Sequence, residues 1–431
     1  MLTLMLSGKD RAAARELLLK RYDNRLRQAQ KTSSDDVFQL YMNAVAQAFD
    51  PHTAYFSPRN TENFNIQMRL SLEGIGCVLR MDEDMVTVVE LVTGGPADLS
   101  QQIKAGDRIV AVAQGEKEAW IDVVGWRLDD VVERIRGQRG TVVRLKVLPG
   151  KAGATAAEKT VRLVRDTIKL EKQAAKSEIK TVRTAEGRET RIGVVTIPAF
   201  YSDFDAARRG DPNYRSTTRD VRQLLKDLNG KIDGLVLDLR ENGGGSLQEA
   251  VDLTGLFIEE GPVVQVRNVG GSVEVEKDSE PGQLYTGPLV VLVDHASASA
   301  SEIFAGAIQD YGRGLVIGDP TFGKGTVQTL VDLNRFTGAK DPQGQLKLTI
   351  AKFYRVNGSS TQHRGVRPDI AIPSLMDSEE LGESAQKNAL PWDEIKATRY
   401  HDDRRIANLV PELTRRHQAR IAGDPDYQAF L

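Results

Sequence analysis

The sequence predicts an α/β protein with a layered core, an inserted small β domain and flanking helical segments. Strand-like and helix-like stretches alternate between about residues 167 and 374, which is typical of a core built from layers of sheets and helices. Residues 66–166 read as short alternating strands and turns, whereas both ends have helical spacing. We therefore predict an N-terminal helical segment that packs on the core (1–65), the β domain (66–166), the core (167–374) and a C-terminal helical segment, interpreted as truncated (375–431).

Composition and charge restrict the possible functions. Lys and Arg number 58 against 60 Asp and Glu, so the net charge of −2 gives no indication of binding to nucleic acid or to a membrane surface. No apolar run is long enough to span a membrane. The single cysteine, Cys77, excludes an intrachain disulfide and is interpreted as a core residue, and the five histidines lack the spacing of metal ligands. We therefore expect no metal and no cofactor.

The N-terminal segment is predicted to hold two helices. The stretch Lys9–Lys31 is charged and rich in Leu and Ala, and a second helix with apolar residues at helical spacing follows the cap signal at Ser33. Asp50 and Pro51 end this helix. The next histidine, His52, is interpreted as structural rather than catalytic.

The β domain is predicted from short strands separated by turns. Val142–Leu148 and Lys159–Val164 are strands, and the Gly/Ala-rich stretch from Pro149 to Ala157 is interpreted as the hairpin loop between them. Asp129–Arg136 has the spacing of a helix. From these residues alone, the segment is an ordinary small β domain.

The core is predicted from alternating strands and helices. Ser246 and Glu249 form a predicted capping box at one helix start, directly after a glycine turn. Leu289–Val293 is a short, β-branched apolar run, as expected of a buried strand. The other predicted elements are strands at Ile192–Ile197, Gly234–Leu239, Leu315–Ile317 and Leu346–Val356, and helices at Thr217–Leu228 and Glu302–Tyr311. Beyond residue 374 the chain reads as polar and helical, with Trp392 and Leu409 as docking points.

A serine between a buried strand and a helix start is well placed to act as a nucleophile. Unpaired backbone N–H groups and the helix dipole favour negative charge there. Ser297, Ser299 and Ser301 all lie in this position, and the residues alone do not separate them. His295 is one candidate base. Lys324, between two glycines after the next strand, is either a solvated surface charge or a desolvated amine that can accept a proton.

A competing motif overlaps this lysine. Gly318, Gly323 and Lys324 have the spacing of a phosphate-binding P-loop. The next residue is Gly325, however, where Mg²⁺ coordination needs Ser or Thr, and the following residues alternate like a strand instead of opening a helix. The sequence therefore argues against nucleotide binding.

Three blocks of the core resemble the signature blocks of the carboxyl-terminal processing proteases, peptidase family S41, and most closely those of its bacterial tail-specific members: Asp238–Ser246, Ser297–Glu302 and Thr321–Gln328. The resemblance implies a ClpP/crotonase-like layered core that carries a serine–lysine dyad and a glutamine that orients the amine. Matched position by position, the nucleophile is Ser299, the base Lys324 and the orienting amide Gln328. The family's serine-to-lysine separation selects Ser299 among the three serines.

The same resemblance assigns the groups around the dyad. It implies an oxyanion hole formed by Ala300 together with Gly243 or Gly244, whose turn can expose backbone N–H groups. Glu302 and Thr321 are assigned supporting roles. Asp310 lies roughly 15 Å from Ser299 at a helix rise of about 1.5 Å per residue, and is interpreted as structural.

A fourth block resembles a PDZ domain, through Gly74–Leu79, Gly95–Asp98 and Ala105–Val110. A PDZ groove adds a bound peptide as an extra strand and cradles its terminal carboxylate with backbone N–H groups, here predicted at Gly74, Ile75 and Gly76. The resemblance implies a serine endopeptidase acting on proteins with nonpolar C-terminal tails, with a possible adaptor protein. The alternative is a PDZ-bearing peptide-binding or adaptor protein with a catalytically dead core.

The N-terminus does not read as a secretory signal. The stretch Met1–Leu6 is too short for the apolar region of a signal peptide and has no basic residues before it. The resembled proteases are usually exported, so the chain is interpreted as a fragment or as starting at an internal Met. The expectation of a periplasmic or periplasm-facing location rests on the resemblance.

Overall fold

The structure is a computed structural model that describes residues 1–6, 10–150, 157–184, 187–278, 280–372, 381–403 and 405–430. It divides into two compact units. The first contains Met1–Met42 and Ser71–Lys169, and the second contains Asn43–Leu70 and Leu170–Leu431. No helix among the described residues has the length and apolar character needed to cross a membrane.

The two predicted N-terminal helices begin and end close to the predicted positions, and a further short helix that was not predicted precedes them. They are α1 (Leu2–Leu6), α2 (Arg11–Gln30) and α3 (Ser34–Gln47). The predicted cap of α3 is confirmed: the Asp36 amide donates to Ser33 Oγ at 3.2 Å, and the Ser33 amide donates to Asp36 Oδ2 at 2.8 Å. Ala46 is the buried residue of α3, and Val37, Phe38 and the other large apolar side chains of its face are exposed. Packing of this segment on the core stays a prediction.

The first unit also contains a small β domain. Its strands are β2 (Ser71–Gly74), β3 (Cys77–Asp82), β4 (Met85–Leu91), β5 (Arg108–Gln114), β6 (Ile121–Asp122), β7 (Val142–Leu148), β8 (Lys159–Val164) and β9 (Asp166–Lys169). The main sheet has the order β3-β4-β5-β7-β8, with β6 on β5, and β2 pairs with β9. Its helices are α5 (Pro96–Ser100) and α6 (Leu128–Ile135). Val86, Ile109 and Leu145 are fully buried in the core of this domain, and β3 forms one edge of the sheet.

The second unit holds two further sheets with helices packed against them. Its strands are β1 (Ala54–Phe56), β10 (Lys176–Arg183), β11 (Glu189–Thr196), β12 (Gly234–Asp238), β13 (Gly261–Asn268), β14 (Val273–Asp278), β15 (Leu289–Val293), β16 (Leu315–Gly318), β17 (Thr326–Asp332), β18 (Gln345–Tyr354) and β19 (Ile370–Ala371). Its helices are α4 (Pro58–Arg69), α7 (Phe204–Arg208), α8 (Thr217–Leu228), α9 (Leu247–Gly255), α10 (Ala300–Asp310), α11 (Asn334–Thr337), α12 (Arg405–Ala422) and α13 (Pro425–Phe430).

The predicted layered α/β architecture is confirmed. One sheet has the order β10-β11-β12-β15-β16-β19 and is parallel from β11 onward. The other has the order β1-β18-β13-β14, with β17 also paired to β18. Helix α10 contacts β16 of the first sheet and β13 of the second, so apolar side chains of both sheets and of the helix join one core. Val291 on β15 and Phe304 on α10 are fully buried there.

Parallel pairing decides where the core's polar loops meet. Strands β12, β15 and β16 are neighbours and run in the same direction, so the loops that follow them leave from the same edge of the sheet. These loops are 239–246, 294–299 and 319–325. They contain the glycine turn, the serine run and the lysine of the sequence motifs.

Several expectations about individual elements are corrected. Ser246 caps α9, because its Oγ accepts a hydrogen bond from the Glu249 amide at 3.3 Å. The predicted capping box is not formed, since the Glu249 carboxylate accepts from the Thr218 hydroxyl at 2.7 Å instead. Segment 1–65 is not wholly helical, because it also contains β1. Residues 386–403 are irregular, so helix among the described residues after 385 is confined to α12 and α13. Within that segment, Trp392 Nε1 donates to Ser360 O at 3.0 Å, but Leu409 is half exposed and does not dock. The core boundary at 374 and loop residues 151–156 lie outside the described residues.

Candidate active site

Ser299 occupies a backbone conformation that sets it apart from its neighbours. It is the N-cap of α10 with φ of 56° and ψ of −110°, a region that non-glycine residues rarely adopt and that clusters at functional sites. The hydroxyls on either side bond to backbone carbonyls: Ser297 Oγ donates to Leu239 O and Ser301 Oγ to Asn242 O, each at 2.8 Å. Both of those side chains are therefore held in the fold, and the Ser299 hydroxyl lines the cleft.

The Lys324 amine lies beside this hydroxyl. Its Nζ is 2.7 Å from Gln328 Oε1, 3.0 Å from Thr326 O and 3.4 Å from Ser299 Oγ. A neutral amine has two N–H donors and one lone pair. With the two carbonyl oxygens accepting the two N–H bonds, the lone pair is left to face Ser299, as proton abstraction requires.

Burial favours the neutral form of this amine. Burial, and after it the positive charge of Lys347, lower the pKa of Lys324 to about 8. Three carboxylates oppose this shift because they favour the ammonium: Glu302, Glu383 and Asp50. Lys347, on β18, lines the same cleft, and burial lowers its own pKa.

Gln328 is held from both ends of its amide. While Oε1 accepts from Lys324, Nε2 donates to Thr326 Oγ1 at 2.9 Å and to Thr349 Oγ1 at 3.1 Å. The pairing of β17 with β18 shifts register between Val327 and Gln328, a β-bulge of the kind that redirects a side chain beside a site.

Glu302 joins the serine loop to the lysine loop. Its fully buried carboxylate accepts from the Ser299 amide at 2.7 Å and, across the site, from Thr321 Oγ1 at 2.7 Å, Gly323 N at 2.8 Å and Lys324 N at 3.0 Å. Burial raises the pKa of Glu302 to about 7, although these four donors act in the opposite direction. Glu302 and Thr321, both singled out in the sequence, are therefore in direct contact.

The glycine turn after β12 packs directly against Ser299. A Cβ on Gly244 would lie 2.7 Å from Ala298 O and 2.9 Å from Ser299 Cβ, and its φ is +99°, so only glycine fits there. The Gly244 amide donates to Asn242 Oδ1 at 2.9 Å. Gly243 has open space around it and lines the cleft with Ala300. Of the two glycines, the geometry favours Gly243 as the donor to an oxyanion.

Two other candidates from the sequence are bonded elsewhere. His295 Nε2 is 2.5 Å from Asp319 Oδ2, which gives that imidazole a partner other than Ser299. Asp310 accepts from Arg355 Nη2 at 2.6 Å and Nε at 2.9 Å, at the far end of α10.

The site opens into a cleft of about 1000 Å³ in the second unit. Apolar side chains line it beside the dyad, among them Leu247, Ile303 and Phe353. Its size and apolar walls suit a peptide segment with its side chains. The described residues contain no group of three or more His, Cys, Asp or Glu that could hold a metal ion.

In the first unit, the predicted carboxylate cradle comes directly before edge strand β3. Gly74 ends β2, Ile75 is 2% exposed and Gly76 has φ of +76°. A Cβ on Gly76 would lie 3.3 Å from Gly95 Cα, so the two predicted PDZ blocks pack against each other through glycine. Cys77 on β3 is partly buried against the core of this domain, and burial raises the pKa of its thiol to about 12, as expected of an unreactive thiol.

Sequence reasoning missed several polar groups of the site. Asn242 is fully buried and bonds to Ile197 O and to Gly244 N, and Thr326 supplies both a carbonyl and a hydroxyl. Both lie inside the blocks that carry the resemblance, where a polar residue next to a glycine could have marked them. Lys347 and Thr349 lie outside every motif. Only strand pairing places Thr349 opposite Gln328 and Lys347 opposite Leu330.

Four family models match parts of the chain that together leave residues 149–190 unmatched. The model described as Peptidase family S41 matches residues 191–372, and the PDZ domain model matches residues 63–148. The Tail specific protease N-terminal domain matches residues 1–59, and the C-terminal domain of tail specific protease (DUF3340) matches residues 376–431. None of these matches tests the predicted segment boundaries or site residues, which stay predictions.

Whole-chain relatives agree with these matches. The chain is 44% identical over 434 residues to a protein named tail-specific protease from Haemophilus influenzae, covering 100% of this chain and 59% of that protein. It is 30% identical over 356 residues to a carboxy-terminal-processing protease from Bartonella bacilliformis, covering 81% of this chain and 73% of that protein. A solved photosystem II D1 C-terminal processing protease is 25% identical, covers 81% of this chain and 86% of that chain, and aligns with a TM-score of 0.42.

Proposed function

The chain belongs to peptidase family S41, and we propose that it is a serine endopeptidase in which Ser299 and Lys324 form a catalytic dyad. The observation that carries the proposal is the environment of one amine. Lys324 Nζ lies 3.4 Å from Ser299 Oγ, and both of its neutral-state N–H bonds are taken by Gln328 Oε1 and Thr326 O. The relatives of this chain are named as proteases. The chain spans 59% of the length of the Haemophilus influenzae protein.

In the proposed acylation step, Lys324 acts as general base. The Ser299 Oγ–H bond breaks and its proton moves to the lone pair of Nζ, while Oγ forms a bond to the scissile carbonyl carbon. The carbonyl electrons move onto oxygen. The tetrahedral intermediate then collapses: the C–N bond breaks, Nζ returns its proton to the leaving amine, and an acyl-enzyme remains on Ser299. Gln328 keeps the amine in place throughout.

In the proposed deacylation step, the neutral Lys324 takes a proton from water. The hydroxide adds to the acyl carbon, the ester C–O bond breaks, and the proton returns to Ser299 Oγ. The amides of Gly243 and Ala300 are proposed to stabilise the oxyanion in both steps, each of such donors being worth about 3–4 kcal/mol of barrier. Gly244 allows the close approach of the turn to Ser299, and Glu302 with Thr321 holds the two loops together.

We propose that substrates are proteins with nonpolar C-terminal tails bound in the PDZ groove. Edge strand β3 leaves one side of its sheet open for an added strand, and Gly74, Ile75 and Gly76 precede it, where a terminal carboxylate binds in PDZ domains. The names of the relatives, which refer to tails and carboxy-termini, support the same substrate class.

The alternative is a PDZ-bearing adaptor with a dead core. A core without catalysis has no need of a dry amine aimed at a hydroxyl, which favours the enzyme. The test is cleavage of a tagged protein by the wild type, by Ser299→Ala and by Lys324→Arg. Both variants should lose activity by about 10³-fold or more, since arginine keeps the charge but cannot accept the proton. Equal cleavage by Ser299→Ala and wild type would refute the dyad.

A periplasmic location and an adaptor protein complete the proposal, and both rest on the sequence resemblance. Fractionation of cells expressing the natural gene would test the location. Crosslinking of the Ser299→Ala variant in the same cells would test for an adaptor, and recovery of substrates alone would contradict that part of the proposal.

A further inference from the structure

A chain of hydrogen bonds leads from the dyad to a buried carboxylate in another part of the fold. Gln328 Nε2 donates to Thr349 Oγ1 at 3.1 Å, and Thr349 Oγ1 donates to Asp50 Oδ1 at 2.9 Å. Asp50 is 5% exposed and lies just after α3, nearly 300 positions from Thr349. None of the sequence motifs that indicated the dyad includes Asp50 or Thr349.

This path decides which way the Gln328 amide faces. A carboxylate only accepts hydrogen bonds, so the single proton of the Thr349 hydroxyl must point at Asp50. The hydroxyl is then left as an acceptor toward Gln328 and requires the NH₂ end of the amide. Once Nε2 faces Thr349, Oε1 must face Lys324, where it lies 2.7 Å from Nζ.

The opposite orientation would place an NH₂ group against the amine. A neutral lysine would then lack one of the two acceptors that hold its N–H bonds, and its lone pair would no longer be confined to the direction of Ser299. The orientation of the Gln328 amide therefore determines whether the lone pair of Lys324 points at Ser299.

The Asp50 carboxylate, at the end of this chain of hydrogen bonds, is itself held in place by further hydrogen bonds. Its carboxylate also accepts from the His52 amide at 2.9 Å, the Thr53 amide at 3.1 Å and the Thr53 hydroxyl. Burial alone raises the pKa of Asp50, but these bonds together lower it below its usual value, so the group is an anion and only an acceptor at neutral pH. Thr53 Oγ1 in turn accepts from the Thr349 amide at 3.2 Å.

We propose that Asp50 and Thr349 are positioning residues that orient the Gln328 amide and thereby aim Lys324 at Ser299. The inference rests on the proposed Ser–Lys mechanism and extends it: the segment before β1 contributes to the geometry of the base without touching the substrate. Assembly of this segment against β18 is then a condition for a competent dyad.

The main test replaces the Thr349 hydroxyl with a methyl group of similar size. Thr349→Val should lower kcat by about 10- to 100-fold with little change in KM, because the amide can then flip and the base is misplaced. Thr349→Ser restores the hydroxyl and should restore kcat. Ile350→Val, at the exposed neighbouring position on β18, is the matched control and should behave as wild type.

A pH profile distinguishes positioning from loss of structure. An NH₂ group facing Nζ disfavours the ammonium, so in Thr349→Val the acidic limb of kcat/KM should move to lower pH while its plateau falls. If the substitution only destabilised the protein, it would lower the folded fraction, which thermal unfolding measures, and the acidic limb of kcat/KM would stay at the same pH. An unmoved limb together with an unchanged kcat would overturn the proposal.

A double-mutant cycle tests the route. In a Gln328→Ala background, Thr349→Val should cause no further loss, because the amide through which it acts is gone. Asp50→Asn alters the same hydrogen-bond chain at its other end and should also lower kcat. Its acidic limb should move further to lower pH than that of Thr349→Val, because the substitution also removes a carboxylate that favours the ammonium of Lys324. If the losses of kcat from Thr349→Val and Gln328→Ala are additive, Thr349 does not act through the Gln328 amide and the proposal is refuted. If Ser299→Ala is inactive but Thr349→Val is fully active, the positioning role of Thr349 and Asp50 is refuted and the dyad stands. If Ser299→Ala is active, the dyad itself is refuted.

Discussion

At the scale of single residues, the proposed mechanism depends on keeping the amine of Lys324 uncharged. Lys324 combines burial with a neighbouring cation, and the two act in the same direction on its pKa. Lys347, which supplies that positive charge, lines the cleft. The cation thus serves the chemistry without any contact with the reacting atoms.

The pH dependence follows from this arrangement. Lys324 must be neutral to accept a proton, so kcat/KM should rise with pH and level off above about 8, the pKa to which burial lowers the amine. Lys347→Met removes the neighbouring charge, so the pKa of Lys324 should rise and the limb should move to higher pH. A pH series of kcat/KM on both proteins measures the shift. Lys226→Met, at an exposed site on α8, is the charge-matched control, and an unmoved limb in Lys347→Met would contradict the assignment.

At the scale of elements, α10 has the proposed nucleophile at one end and a buried ion pair at the other. Ser299 caps its first turn, and Asp310, in its last turn, is 6% exposed and pairs with Arg355 just after β18. The buried pair fixes the helix against the strand that also carries Thr349. It acts on the position of α10 and not on the proton transfer.

Breaking this pair should therefore reduce stability without changing the chemistry. Asp310→Ala leaves Arg355 buried without its carboxylate, which typically costs about 3–5 kcal/mol in the free energy of unfolding. Denaturant unfolding measures the loss, and the acidic limb of kcat/KM of the folded fraction should stay in place. Arg183→Ala breaks an exposed pair with Glu189 and should cost less than about 1 kcal/mol. Equal losses in the two variants would contradict the structural role of Asp310.

At the scale of the whole molecule, two sites of different chemistry share one chain. One is a cleft with a dyad in the second unit, and the other is an open sheet edge preceded by a glycine turn in the first. The proposed division of labour is that the edge strand selects proteins by their last residues and the cleft cuts them.

Tail selection makes a direct prediction about substrates. A protein ending in nonpolar residues should be cleaved with a kcat/KM about tenfold or more above that of the same protein ending in Asp or Glu, because a charged side chain is costly to bury in an apolar groove. Paired degradation assays on the two proteins measure the ratio. The Ser299→Ala variant should bind the two tails with the same preference, since it retains the groove. Equal cleavage of both tails would exclude selection by the groove.

Elements with strong local signals were predictable from the sequence. Thr217–Leu228 and Leu289–Val293 have the predicted bounds, because amphipathic spacing and a β-branched apolar run act within a few residues. The irregular stretch 386–403 was not predictable, since its backbone bonds to distant segments, such as the Ile395 amide to Gly358 O, instead of to itself. The exposed apolar face of α3 likewise follows from packing and not from periodicity.

By itself, the sequence determined the layered fold, the family and the residue types of the dyad, because these lie in short contiguous blocks. Only the tertiary structure decided which serine hydroxyl is beside the amine, which glycine amide is already bonded, and that Lys347, Thr349 and Asp50 surround the base. The reason is physical: burial and hydrogen bonding at this site arise where the loops after parallel strands, the antiparallel pair β17–β18 and the distant segment around Asp50 come together. Separation along the sequence does not show which of these segments are neighbours in space.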